Sequence, residues 1–237
     1  MPDTPLLDCP SDTGTPSAAE LHKHLDDAFV AARIAARVEA APGAALDLTL
    51  LTAGRMPFDR DPDQANAWLA EHSIDASARF NDAMDIVIRL PTAEAVHRLT
   101  ALALDARIAT HAAAAALDGA LAAHRLAYEV EVTGPGQLSL VLHGSEDAGT
   151  GPAFAALLGA PGIDAGLDLA RGRGIRRLTD RLAWLLTGVT ESLVQAQGST
   201  GCRHEPDRVE LYFDPGQADL LTRRLEQASS TDQSNTC

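Results

Sequence analysis

Residues 74–90 read Ile-Asp-Ala-Ser-Ala-Arg-Phe-Asn-Asp-Ala-Met-Asp-Ile-Val-Ile-Arg-Leu, with Pro91-Thr92 directly behind them. Ile74, Ala76, Ala78 and Phe80 alternate with other residues, and Met84, Ile86, Ile88 and Leu90 do so again. A period of two is the pattern of a half-buried strand, and Asn81-Asp82 between the runs supplies turn chemistry. The stretch therefore predicts a β-hairpin, and the segment from Thr92 to about Leu104 predicts a helix behind it.

The same succession recurs. Tyr128, Val130 and Val132 face Leu138, Leu140 and Leu142 across Gly134-Pro135-Gly136, and a short helix is expected between Gly149–Gly151 and Ala160-Pro161-Gly162. Val209–Phe213 reads as a strand that enters a closing helix through Asp214-Pro215, a capping residue followed by proline at the first helical position. Leu46, Leu48 and Leu50 give one more strand, and Asp61-Pro62 opens a helix to about His72 that carries Trp68. Apolar residues at 3/4 spacing predict helices over Ala18–Val38, Arg107–His124 and Ile175–Gln197.

These elements define an α+β chain: antiparallel hairpins forming one or two small sheets, with helices packed on one face. One domain is expected over residues 18–228, or two related lobes over about 18–105 and 120–228. Residues 1–17 and 229–237, rich in Pro, Ser, Thr and Asp, read as tails. One ungapped shift lays Ile86, Ile88 and Leu90 on Val209, Leu211 and Phe213, Ala95 on Ala218, and Leu102 on Leu225. A different shift matches Asp61-Pro62-x-Gln64-Ala65 with Asp214-Pro215-x-Gln217-Ala218. If this echo is genuine, it marks an internal duplication.

Composition narrows the function. The formal charge is −14, which disfavours nucleic acid and anionic membranes as partners, because phosphate neutralisation supplies most nonspecific affinity for nucleic acid. Lys23 is the single lysine, and alanine is abundant; this fits a GC-rich coding sequence and a bacterial source. Cys9, Cys202 and Cys237 do not form a disulfide framework. With no apolar leader at the start and no run of about 20 apolar residues, the expected location is the cytoplasm.

No catalytic, cofactor or metal signature stands out. Cys202 and His204 are too few for a zinc site, and Gly149-Thr150-Gly151-Pro152 lacks both the lysine of a P-loop and the third glycine of a dinucleotide fingerprint. No cofactor is expected. The sharpest feature lies on the long helix, where Ile175, Leu178, Leu182, Leu185, Leu186, Val189 and Leu193 form an apolar stripe. At about 100° per residue, Arg173, Arg177 and Trp184 project away from that stripe, and Arg181 sits on its flank. Tryptophan among guanidinium groups is the composition of a protein-binding hot spot. The expected role is a non-catalytic interaction or accessory protein, binding a protein partner or a second copy of itself through Arg173, Arg177, Arg181 and Trp184. Two other readings of that face stand beside it: Trp184 packs beneath a neighbouring element, or the arginines merely pair with acids such as Asp180. The alternative function is an enzyme or small-ligand binder assembled from dispersed residues, with His143, Ser145, Cys202 and His204 as candidates.

Overall fold

The computed structural model of the chain describes residues 16–58, 61–144, 149–201 and 207–234. Cys9, Ser145, Cys202, His204 and Cys237 lie outside these residues, as does almost all of the expected N-terminal tail. The chain divides into two units, Met1–Leu104 and Asp105–Cys237.

In the first unit, helix α1 (Ala18–Ala31) precedes strands β1 (Ala36–Ala40) and β2 (Leu46–Leu50). Helix α2 (Pro62–Glu71), strands β3 (Ser77–Phe80) and β4 (Ile86–Leu90), and helix α3 (Ala93–Leu99) follow. The sheet is antiparallel, in the order β1-β2-β4-β3. Leu48 pairs with Ile88, and Val38 and Ala78 continue the same row outward. Leu48 and Ile88 are fully buried, with Leu25 of α1, Leu69 of α2 and Leu99 of α3 in the same core class. A π-helical turn at Thr100–Leu104 leads from α3 into the next helix.

In the second unit, α4 (Asp105–Ala122) precedes β5 (Tyr128–Gly134) and β6 (Gln137–His143). Helices α5 (Thr150–Leu157) and α6 (Gly172–Thr190) come next, then β7 (Gln195–Ser199), β8 (Arg208–Phe213) and α7 (Pro215–Ser234). The order β5-β6-β8-β7 repeats that of the first sheet. Phe154, Leu140, Leu182, Leu186, Leu211 and Phe213 sit at the centre of its core. The α+β class is as expected, realised as two small antiparallel sheets.

The shared connectivity gives the sequence echo a structural meaning. β4 and β8 hold the same place in their sheets, so Ile86, Ile88 and Leu90 do correspond to Val209, Leu211 and Phe213. Ala95 and Ala218 follow in the first turn of the next helix, and both are buried. The match breaks at Leu102, which is exposed in the π turn, whereas Leu225 is buried. The second match joins α2 to α7, which are not equivalent, and so records a shared capping solution. Asp61 accepts from the Asp63 N–H, and Asp214 from that of Gln217.

Two helix ends differ from the sequence reading for one physical reason. The first helix stops at Ala31 instead of Val38, and residues 36–40 form β1. The long helix stops at Thr190 instead of Gln197, and residues 195–199 form β7. Each stop is a left-handed residue that is not glycine, Arg33 (φ 53°) and Glu191 (φ 56°). At the first, Ile34 N–H donates to Phe29 O and Arg33 N–H to Val30 O, the Schellman pattern that usually announces itself by glycine. The left-handed residue costs about 1 kcal/mol, and burial of Ile34 behind it (4% exposed) offsets that. Ser73 and Ile74 repeat the device after α2. At the other end of the chain, α7 continues to Ser234, past residue 228.

Candidate functional site

Helix α6 owes its position to glycines. A Cβ on Gly174 would collide with the Asp168 carbonyl, and one on Gly198 of β7 with Thr179 Oγ1. Gly172 likewise has Thr200 Cγ2 only 2.8 Å from where its Cβ would stand. These three gaps let the helix press against the preceding loop and the edge of its own sheet. Ile175, Leu178, Leu182 and Leu186 fill the space beneath, all buried, with Leu185 and Val189 half-buried on the flank. Leu193 does not belong to this stripe. It lies past the end of the helix and is 74% exposed.

On the opposite side, Trp184 is 74% exposed, so it does not pack beneath a neighbouring element. Arg173, Arg176, Arg177 and Asp180 are also exposed. No ion pair joins these arginines to Asp180 or to any other acid among the described residues, although Asp180 stands one turn from both Arg176 and Arg177. Arg181 differs: its Nη1 donates to the carbonyls of Ile163 and Ala165 (2.5 and 3.1 Å), tying the loop before α6 to the helix. Arg171 pairs with Asp168 at 3.0 Å.

The placement of these charges runs against the helix. α6 has no side-chain N-cap and no acidic residue in its first turn, yet Arg173, Arg176 and Arg177 crowd its N-terminal half. The N-terminus already carries the positive end of the helix dipole, and a cation in the first turn, here Arg173, is disfavoured by about 0.3–1 kcal/mol. An anionic group seated between these arginines would relieve both terms.

Beside this face runs a groove that the sequence did not reveal. Leu158, Gly188, Val189 and Leu220 give it apolar walls, and Arg223 and Arg224 of α7 line it as well. Gly188 stands one turn beyond Trp184. No local pattern joins this arginine pair to α6, because Arg223 and Arg224 lie more than thirty residues beyond the end of that helix.

The dispersed candidates for chemistry do not converge where they are described. His143 Nε2 lies 3.8 Å from Glu129 on a half-exposed strand end. His24 and His97 rings stand 5.1 Å apart, His22 Nε2 contacts the Val38 carbonyl, and His124 Nε2 contacts Ser229 Oγ. Among the described residues no group of three His, Cys, Asp or Glu is placed to hold a metal ion. Nor is any of their helices long and apolar enough to cross a membrane. Gly151, part of the anion-loop candidate, is buried against Leu178, so it serves the packing of α5 on α6. No protein-family model, curated protein or solved structure matches the chain.

Proposed function

We propose that this chain is a non-catalytic interaction protein of the bacterial cytoplasm that docks an acidic protein partner on the outward face of α6. Trp184 provides the apolar anchor, Arg173 and Arg177 the charge, and Arg181 ties the loop before α6 to the same helix. The observation that carries the reading is the 74% exposure of an indole on the same helix face as guanidinium groups, about two and three turns toward the N-terminus, that make no ion pair among the described residues. Desolvating such a ring contributes much of the energy of a typical hot spot, and neighbouring arginines select an acidic counterpart.

The test is a pull-down from the source cell with the wild type and with the Trp184→Ala/Arg177→Ala double variant. A partner retained by the wild type and lost by the variant, at equal thermal stability, is the expected result. Undiminished capture by the double variant would remove the assignment.

A further inference from the structure

The two sheets have four outer strands, and three of them carry features that hinder further pairing. In β3, the ladder leaves the N–H and C=O of Ala78 pointing away from β4, and the Asn66 side chain takes both, at 2.7 and 2.9 Å. In β1, one outward acceptor is already taken, since His22 Nε2 reaches the carbonyl of Val38 at 3.0 Å. In β5, the side chains do the work. Two copies of β5 paired antiparallel about Val130 would set Glu129 directly opposite Glu131, and like charges in that position are destabilising.

Among the described residues, β7 has no such protection. The Gly144 N–H bonds Asp207 O at the end of the β6–β8 ladder, which fixes the alternation across the sheet. Arg208, Glu210 and Tyr212 exchange hydrogen bonds with Ser199, Gln197 and Gln195, and the backbone groups of Ala196 and Gly198 point outward. Among the described residues those groups have no partner, and Gln197 beside them is exposed. Residues 194–201, Val-Gln-Ala-Gln-Gly-Ser-Thr-Gly, contain no charge and no proline to discourage pairing.

We infer that β7 is a self-association edge whose occupant is β7 of a second copy of this chain. Antiparallel pairing about Gln197 places Ala196 opposite Gly198 as a hydrogen-bonded pair at each end. Gln197 then faces its own symmetry mate, and Gln195 faces Ser199. The strand is complementary to itself in hydrogen bonding and sets no like charges of its own opposite one another, as a two-fold interface requires. The two four-stranded sheets become one of eight. Helix α6 lies against β7, and the flank of the helix that carries the half-buried Ala183 and Thr187 also carries the exposed Arg176 and Asp180, opposite charges that an antiparallel second copy could match. The inference goes beyond the docking face of Trp184 and does not depend on it.

Sedimentation or light scattering on the purified chain, with increasing concentration, tests it. The wild type should be a dimer. Gln197→Lys and Gln197→Glu each oppose like charges across the two-fold and should raise the dissociation constant by at least about tenfold, while an equimolar mixture of the two should restore a heterodimer. Ala196→Pro removes an outward N–H without touching the strand's own ladder, and should also give monomer. Arg37→Glu on β1 should leave the dimer intact. As a check that needs no variant, exchange of the Ala196 and Gly198 amides in the wild type should slow as concentration rises. A wild type that stays monomeric, a dimer unaffected by the Gln197 and Ala196 variants, or a dimer lost through Arg37→Glu overturns the inference. So do amides whose exchange ignores concentration.

Discussion

Asn66 and Ala78 form a closed two-way bridge: the Asn66 side-chain amide donates to the Ala78 carbonyl while its oxygen accepts the Ala78 N–H. One side chain of α2 thereby imitates a fifth strand of the first sheet. Asn66→Ala leaves a half-buried N–H and C=O without partners, at a cost of about 1–3 kcal/mol. A lowered melting temperature is expected, together with concentration-dependent association through the newly opened β3. Unchanged stability would mean that water replaces the amide without loss.

Trp184 and Leu182 are near neighbours on α6 with opposite surroundings, 74% and 0% exposed. Trp184→Ala is expected to change stability by no more than about 0.5 kcal/mol. Leu182→Ala creates a cavity and should cost about 2–5 kcal/mol. Chemical denaturation of the two variants side by side measures the contrast.

Gly174 and Gly188 lie on the same helix and should respond with opposite signs. Gly188 has nothing within 4 Å of a prospective Cβ, so Gly188→Ala should stabilise the helix by about 0.8–1 kcal/mol. At Gly174 the Asp168 carbonyl already occupies that position. Gly174→Ala should destabilise by about 1–3 kcal/mol through overpacking. Thermal unfolding by circular dichroism reads both signs.

Ser17 and Glu20 cap α1 reciprocally. The Ser17 backbone N–H, and then its hydroxyl, lower the pKa of the Glu20 carboxyl. A lowered folded-state value means that the carboxylate contributes stability above the ordinary glutamate range and loses it as pH falls through the folded value. Glu20→Gln should therefore melt below the wild type at neutral pH, and the gap should close in acid. A gap independent of pH would show that the charge of Glu20 plays no part.

The strands with strict alternation, β4, β6 and β8, were legible in the sequence because Ile, Val and Leu at period two leave few alternatives. β1 and β7 were not. Ala36–Ala40 and Gln195–Ser199 are short, poor in large apolar residues, and preceded by helices whose left-handed ends fall on Arg33 and Glu191 instead of glycine. Missing them hid the matching strand orders, and with them the structural basis of the repeat. The outward set of Arg173, Arg177 and Trp184 followed from helical spacing alone. That Arg181 is engaged with loop carbonyls, and that Arg223 and Arg224 line a neighbouring groove, depends on tertiary packing that no local pattern encodes.

The contrasting settings of the two tryptophans also equip the protein with its own optical reporter. Trp68 is half-buried, stacks on His72 with ring centroids 4.3 Å apart and meets Phe58 on a tilted contact, so its indole is partly shielded. Trp184 emits from water, at longer wavelength and within reach of soluble quenchers. A ligand that covers α6 will shift and protect that red component most, and its arrival can be followed without attaching a label.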